Sequence, residues 1–222
     1  MKTLTKTIFS VAALFASTLA SATVITPTAA YSVYTTNGGS NSNTTSPIFA
    51  GDTGTLTAET ARLYTKFLLP TYSNGTQLTS AIFSITYSSS YSSAAGALGL
   101  YAVLNDGWNN STSWQAKAQR ETLLFTFNPL TNGQILTFDI KAFANSQYIT
   151  DGVLSLAIAG IAEEGSLVNS WRYFTANTAQ LDYTVGAAPL NNPVPAPATA
   201  AILGLGLLGL SLSNKARRKN SN

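Results

Sequence analysis

The sequence predicts an all-β protein whose body is a two-sheet jelly-roll sandwich of about nine or ten strands. A signal peptide precedes this body, and a hydrophobic C-terminal sorting helix follows it. Charged residues make up only 9% of the 222 residues, whereas the chain contains ten Tyr and ten Phe. Aromatic and β-branched side chains suit the pleated surface of a sheet. Short segments of alternating apolar and polar residues stand between Gly, Asn and Pro turn signals, which is typical of sandwiches and barrels.

The first 22 residues have the three parts of a secretory signal peptide, in order. Lys2 and Lys6 supply positive charge, residues 8–16 form a short apolar core, and Ala20 and Ala22 provide the small residues of a cleavage site. We therefore expect an exported chain whose mature form begins immediately after Ala22.

The body, residues 23–188, contains ten segments with strand patterns separated by turn signals. The fifth segment is expected to present an apolar face that extends to Leu104. The Ser-rich residues 88–93 are predicted as a connection, and residues 141–147 as one or two helical turns. The predicted strands are residues 31–36, 54–58, 62–69, 77–87, 98–104, 123–127, 136–140, 154–158, 171–174 and 181–185.

The clearest alternation lies in residues 77–87. Ala81, Phe83, Ile85 and Tyr87 fall on one face of the predicted strand, and the other face carries Ile82, Ser84 and Thr86. Successive side chains of a strand point to opposite faces, so these four residues are expected in the core.

The C-terminus divides into a linker, an apolar segment and a basic tail. Residues 189–197 are rich in Pro and Asn and cannot continue a sheet ladder. Residues 198–213 carry no charge, and as a helix they would span about 24 Å, short of a hydrocarbon core of about 30 Å. The basic residues that follow would hold that end in the cytoplasm. The short span favours a sorting signal within residues 198–222 over a permanent tail anchor, which is the alternative.

Three features follow one another between residues 194 and 219: a Val-Pro-x-Pro motif, a Leu/Gly-rich span and a terminal basic cluster. The residues concerned are Val194, Pro195, Ala196, Pro197, Arg217, Arg218 and Lys219. Together they resemble a PEP-CTERM sorting signal, in which Glu usually stands at the position of Ala196. The resemblance implies processing by an exosortase-type enzyme and transient attachment to the inner membrane through the C-terminus. It also implies a place in the envelope or extracellular matrix of a Gram-negative bacterium that makes exopolysaccharide.

The body has a resemblance of its own, carried by several short motifs in order. They occupy residues 61–67, 75–81, 101–103, 106–108, 113–114, 151–156 and 181–185. They resemble the DNRLRE-type domain, which implies a jelly roll related to a family of carbohydrate-binding modules. Two positions depart from that pattern: residues 109–112 lack the usual Glu, and Leu68 replaces the usual Asp.

The sequence contains no His and no Cys. Ser-His-Asp and Cys-His catalysis and His-based metal sites are therefore excluded. The body has six basic and nine acidic residues, a net charge of about −3, which disfavours nucleic-acid binding. A glycan hydrolase needs only two carboxylates. The adjacent pair Glu163 and Glu164 stands beside a Gly, and we interpret it as a solvated turn, so no enzyme is predicted.

The candidate ligand-binding residues are aromatic. Trp108 and Trp114, and with them Trp171, are candidate sugar platforms, because flat aromatic faces offer large apolar area to a ligand. Packing in the core or at a sheet edge is the alternative for each of the three. No cofactor is expected beyond a structural calcium ion, for which the candidate ligands are Asp52, Asp139 and Asp151. Turn capping is the alternative, for Asp151 at least.

The leading hypothesis is a non-catalytic structural or adhesive protein of the cell envelope, associated with an extracellular polysaccharide. It depends on the two terminal signals and on the absence of imidazole and thiol groups. The first alternative is a carbohydrate-binding module with a defined groove. The second is a glycan hydrolase that uses carboxylates.

Overall fold

The computed structural model describes residues 21–35, 41–53, 59–90, 96–129, 131–162 and 168–189. They belong almost entirely to the first of two units, which is residues 1–187; the second is residues 188–222. The sorting segment, most of the signal peptide, the predicted strand 54–58 and the Glu163–Glu164 pair lie outside the described residues. In the part of the chain that is described, no helix is long and apolar enough to cross a membrane.

The all-β prediction is confirmed: the described residues form twelve strands and one short helix. The elements are β1 Ala22–Ile25, β2 Ala29–Thr35, β3 Asn41–Thr44, β4 Ile48–Asp52, β5 Thr60–Leu68, β6 Thr76–Ser90, β7 Leu98–Val103, β8 Leu123–Phe127, β9 Ile135–Asp139, α1 Lys141–Thr150, β10 Val153–Gly160, β11 Arg172–Phe174 and β12 Gln180–Ala187.

The strands form one antiparallel sheet that curls into two layers. The front sheet has the order β3-β2-β5-β10-β7-β8. The back sheet contains β1, β12, β6 and β9, with β6 between β12 and β9. β11 pairs with both β6 and β4, and β4 pairs with β5, so these two short strands join the layers along one side.

The main hydrophobic core lies between the two layers. Phe67 of the front sheet meets Phe83 of the back sheet edge to face, with ring centroids 6.0 Å apart. Phe83 also stacks on Phe138 of β9 at 6.2 Å. Each such buried side chain stabilises the fold by roughly 1.5–3 kcal/mol relative to its exposed state. Ala81, Phe83, Ile85 and Tyr87 are all buried, as the alternation predicts.

Two details of the predicted strands are wrong. Residues 88–90 belong to β6 and are not a connection, because Ser89 and Ser90 pair with β11. Leu104 does not extend the apolar face of β7: it is 57% exposed, and its N–H bonds to Glu121 Oε2 at 2.9 Å. Ser is permitted in a strand wherever a partner strand supplies the ladder, and sequence pattern alone does not show that partner.

The sequence analysis missed β1, β3 and β4. β4 is buried throughout, and its Gly51 has φ +115° and lies against the backbone of Ser170. A side chain at this position would enter the neighbouring backbone, so only Gly permits the approach of the two segments. That close contact is made where β4 crosses from one layer to the other.

Candidate functional site

The outer face of the front sheet is covered, whereas an outer sheet face is commonly open to solvent. Side chains in register form three rows across β2, β5, β10 and β7. The rows are Ala29-Lys66-Ser155-Val103, Tyr31-Tyr64-Ala157-Tyr101 and Val33-Arg62-Ala159-Gly99. The middle row carries three tyrosines, which gives this face an aromatic centre.

Residues 104–122, here called the tryptophan loop, lie over this face. Trp108 is only 4% exposed, and its ring is 5.4 Å from that of Tyr31 and 5.5 Å from that of Tyr64. Trp114 is 9% exposed and belongs to the same buried cluster. The tryptophan loop and the sheet therefore enclose a second, smaller core.

One cationic side chain of the sheet, that of Lys66, holds the first part of the loop in place. Lys66 Nζ donates to the carbonyl oxygens of Asp106 and Trp108, both at 2.6 Å. The same ammonium lies 4.3 Å from the centre of the Trp108 ring, a cation–π arrangement. Burial lowers the pKa of Lys66, and the nearby Asp106 offsets part of that change.

The second part of the loop is fixed in a similar way. Tyr64 donates its hydroxyl to the carbonyl of Ala118 at 2.6 Å, and Arg62 reaches the same carbonyl at 3.3 Å. Arg120 donates to Tyr101 Oη at 2.9 Å and to the Gly160 carbonyl at 2.7 Å. Lys117 places its ammonium 3.8 Å from the centre of the Trp114 ring. Four of the six basic residues of the body thus help to hold the tryptophan loop.

Several polar atoms under the loop are buried without a hydrogen-bond partner. They are both carboxylate oxygens of Asp106, the hydroxyls of Ser155 and Tyr31, and the indole nitrogen of Trp108. Burial raises the pKa of Asp106, and the neighbouring Ser155 hydroxyl offsets part of the rise without reaching hydrogen-bond geometry. Burial also raises the pKa of Tyr31 to about 12.

The sequence-predicted tryptophans are thus brought together on one face, but as buried packing residues. A ring that is more than nine-tenths buried offers little surface to a sugar. Trp171 is on another side of the molecule, where it is 4% exposed and stacks on Phe49 at 4.7 Å. The ligand role of Trp108 and Trp114 stays a prediction, and the geometry shows the packing role for all three.

The three candidate calcium ligands have separate structural roles. Asp52 Oδ2 accepts from the Thr60 hydroxyl at 2.9 Å. Asp139 accepts from the first N–H of α1, and Asp151 accepts from Val153 N, both at 3.0 Å. The last contact is the turn capping that was the alternative for Asp151. No group of three or more His, Cys, Asp or Glu side chains suited to a metal occurs within the described ranges.

A cleft of about 480 Å³ opens beside the tryptophan loop. Its wall is formed by residues 26–30, which are the β1–β2 connection and the start of β2, and by Thr45 and Ile48, just before and at the start of β4. The carboxamides of Asn110 and Asn177 complete the lining. Asn177 has φ +64°, a left-handed conformation that Asn adopts more readily than most residues. The cleft lining consists of uncharged hydroxyl, amide and small apolar groups.

A second hollow of about 410 Å³ lies at the β8–β9 turn. Asn128 and residues 131–134 line it. The Asn128 carboxamide accepts from the buried Arg172 at 2.8 Å, so it is already engaged within the protein. The sequence analysis identified neither hollow, because the residues of the cleft come from separate parts of the chain and those of the second hollow match no motif.

Comparison with known families identifies the body of the chain. The model of carbohydrate-binding module family 96 matches residues 21–184, nearly three quarters of the 222 residues. The match confirms the resemblance to a domain related to carbohydrate-binding modules. No curated protein matches the chain.

Proposed function

The chain belongs to carbohydrate-binding module family 96, and from that premise we propose that it is a non-catalytic protein of the cell envelope that binds an uncharged polysaccharide in the cleft beside the tryptophan loop. Family membership is the observation that carries glycan binding. The size and lining of the cleft support this location for the site.

The cleft has the volume and chemistry that a short stretch of glycan requires. Ligand sites usually measure about 300–1,000 Å³ and combine apolar walls with a few fixed polar groups. A carboxamide both donates and accepts hydrogen bonds, as do sugar hydroxyls. Asn110 and Asn177 provide two carboxamides, and the threonines of the lining add hydroxyls.

The tryptophan loop makes this site rigid before the ligand arrives. Asn110 lies between Trp108 and Trp114, both of which are anchored in the second core. The neighbouring backbone is tied by Asn109 N to Thr112 Oγ1 at 2.9 Å. A loop that is already ordered loses less conformational freedom on binding. The burial of the tryptophans therefore supports glycan binding indirectly, by positioning Asn110.

An uncharged polysaccharide is favoured by the distribution of charge. The body is net negative, which repels a polyanion. Arg62, Lys66 and Arg120 donate to acceptors within the protein, and Arg172 does so on another side of the molecule. Among the described residues, no charged side chain lines the cleft.

Electrophoresis in native gels that contain galactomannan, soluble β-1,4-glucan or a polyuronate tests this proposal. We expect retardation by a neutral polymer and not by the polyuronate. Asn110→Ala and Asn177→Gly should each weaken retardation about 2- to 10-fold, because each removes about one hydrogen bond worth 0.5–1.5 kcal/mol. Gly keeps the left-handed backbone at position 177.

The matched control is Asn132→Ala in the second hollow, which should leave retardation unchanged. Equal loss in the Asn132 and Asn110 variants would contradict the location of the site. Retardation by the polyuronate alone would contradict the uncharged class of ligand. A protein that none of the three polymers retards would contradict glycan binding of these classes altogether.

Export and envelope sorting are part of the same proposal and rest on the terminal sequences. The signal peptide, residues 1–22, would direct export, and an exosortase-type enzyme would process the segment that begins at Val194. A glycan-binding body released or held at the cell surface would associate with the extracellular polysaccharide matrix. Mass spectrometry of the mature protein should find Thr23 as its first residue and the basic tail removed. Deletion of residues 194–222 should move the protein from the envelope fraction to the medium or periplasm, and an unchanged fractionation would contradict sorting.

A further inference from the structure

Four aromatic residues cluster where β4 and β11 join the two sheets. They are Tyr34, Phe49, Trp171 and Tyr173, and we call them the corner patch. Phe49 is central, with ring centroids 4.7 Å from Trp171, 5.0 Å from Tyr34 and 5.8 Å from Tyr173. Trp171 lies nearly parallel to Phe49, at 25°, and the two tyrosines meet it edge on, at 61° and 71°.

The two tyrosines are the accessible part of the corner patch. Phe49 and Trp171 are 6% and 4% exposed, whereas Tyr34 and Tyr173 are only half-buried. Tyr173 is in register with Phe49 on one side and with the half-buried Ser89 on the other. The buried pair therefore braces two phenol rings that remain at the surface.

The corner patch and the cleft lie on opposite faces of one strand. Ile48 lines the cleft and packs in the main core, whereas the next residue, Phe49, is the centre of the corner patch. Successive side chains of a strand point to opposite sides, so a ligand in the cleft does not cover the corner patch.

We propose that the corner patch is a second glycan contact of this protein, one that stacks the phenol rings of Tyr34 and Tyr173 on the apolar face of an uncharged polysaccharide. This inference rests on the proposed function, because it takes the same class of ligand at a separate surface. The cleft and the corner patch together make the module bivalent toward a polymer.

The chemistry of the corner patch fits a sugar chain. None of its four side chains is charged. Each tyrosine combines an apolar ring face with a hydroxyl group, just as a pyranose combines C–H groups with hydroxyls. Tyrosine offers a large amphipathic contact at a small cost in conformational entropy, since only two side-chain torsions have to be fixed. The bracing by Phe49 reduces that cost further.

Bivalency predicts a difference between polymers and short oligosaccharides. Two linked weak contacts raise the affinity for a long chain that reaches both, whereas a trisaccharide occupies one site at a time. Loss of the corner patch should therefore reduce polymer binding by about tenfold or more and leave binding of a trisaccharide to the cleft unchanged.

The experiment compares the Tyr34→Ala/Tyr173→Ala double variant with the full mature chain. Gels that contain galactomannan or β-1,4-glucan report polymer binding, and calorimetry with mannotriose or cellotriose reports the cleft. The matched control is Tyr34→Phe/Tyr173→Phe, which keeps both rings and should keep polymer binding. Thermal unfolding checks that each variant folds; if the double Ala variant does not, Tyr173→Ser alone replaces it, with a smaller loss of polymer binding expected.

Each outcome has a defined meaning. A weaker polymer interaction with unchanged trisaccharide affinity supports the second contact. Equal polymer binding by the Ala variant and the wild type overturns it and leaves the proposed function intact. Loss in the Phe variant as large as in the Ala variant overturns ring stacking. A wild-type protein that binds none of these four probes removes the neutral-glycan function and the corner patch contact together.

Discussion

Tyr31 is a buried side chain whose hydroxyl is expected to lower the stability of the fold. The residue is completely buried, between the rings of Tyr64 at 5.6 Å and Trp108 at 5.4 Å. Its hydroxyl oxygen has no partner in hydrogen-bond geometry, although the nearby Thr112 side chain offsets part of the rise in its pKa. A buried polar group without a partner costs about 1–3 kcal/mol. We therefore expect Tyr31→Phe to raise the free energy of unfolding by about 1–3 kcal/mol at pH 8.

The pH dependence of the same variant follows from the pKa of about 12, compared with an ordinary value of 10.0. The folded state holds the Tyr31 proton more tightly than the unfolded state does. The resulting contribution to the free energy of unfolding is complete below pH 10 and is lost as the pH rises toward 12. A shift of about two pKa units corresponds to about 2.7 kcal/mol, of which about 1.4 kcal/mol is lost by pH 11. The Phe variant has no such loss, so its advantage should grow by that amount between pH 8 and pH 11.

Urea unfolding followed by tryptophan fluorescence at pH 8, 10 and 11 measures these differences. The comparison of variant with wild type at each pH isolates the effect of the Tyr31 hydroxyl, together with its electrostatic interaction with Tyr64. The control is Tyr148→Phe: this buried hydroxyl shares a hydrogen bond with Thr76 Oγ1 at 2.9 Å, so its removal should cost about 0.5–1.5 kcal/mol. A Tyr31→Phe protein that is less stable than the wild type at pH 8, or an advantage that does not change with pH, would refute the reasoning.

Two further predictions concern stability. Burial raises the pKa of Asp106, so the protonated carboxyl contributes to stability below the unfolded-state pKa, and this contribution is lost as the pH rises through the folded-state value. Asp106→Asn should therefore stabilise the protein more at pH 7 than at pH 4. Urea unfolding that shows the reverse order would contradict this. Gly51 has φ +115°, and in Gly51→Ala the added methyl group would meet the backbone of Ser170. We expect this change to lower the free energy of unfolding by more than about 3 kcal/mol. Gly75→Ala also has positive φ, +79°, but meets no atom within 4 Å and should cost only about 1–2 kcal/mol, so equal melting temperatures of the two variants would exclude steric contact as the cause.

The strands that could be predicted are those whose own side chains reveal the core. β6 alternates over many residues, and β10 carries Leu154, Leu156 and Ile158 at every second position. β1 and β3 contain few large apolar side chains, so they have no such signal. β4 is buried on both faces, and its five residues show no alternation. What defines these three as strands is the partner beside them, which sequence periodicity does not report.

The candidate site was less predictable than the fold, for a related reason. Residue type identified Trp108 and Trp114 as candidates, but not the three rows of sheet side chains that enclose them. The lining of the cleft comes from four separate segments, and its informative residues are Asn and Thr, which are common throughout this chain. Tyr34 and Tyr173 lie far apart in sequence and meet only through Phe49. A contact of this kind depends on the curl of the sheet and therefore has no local signature.

The arrangement of the tryptophan loop explains how a chain with so few charges can hold a long irregular segment over a sheet. The loop has few ladder hydrogen bonds of its own, so its buried carbonyls require donors from outside. Lys66 supplies two such bonds, and Tyr64 supplies another at Ala118. The bonds from Lys66 fix the position of its ammonium at the sheet without removing the charge. The same contacts also hold Asn110, which lies between Trp108 and Trp114, in the wall of the cleft, so the order of the loop reaches the cleft through the second core.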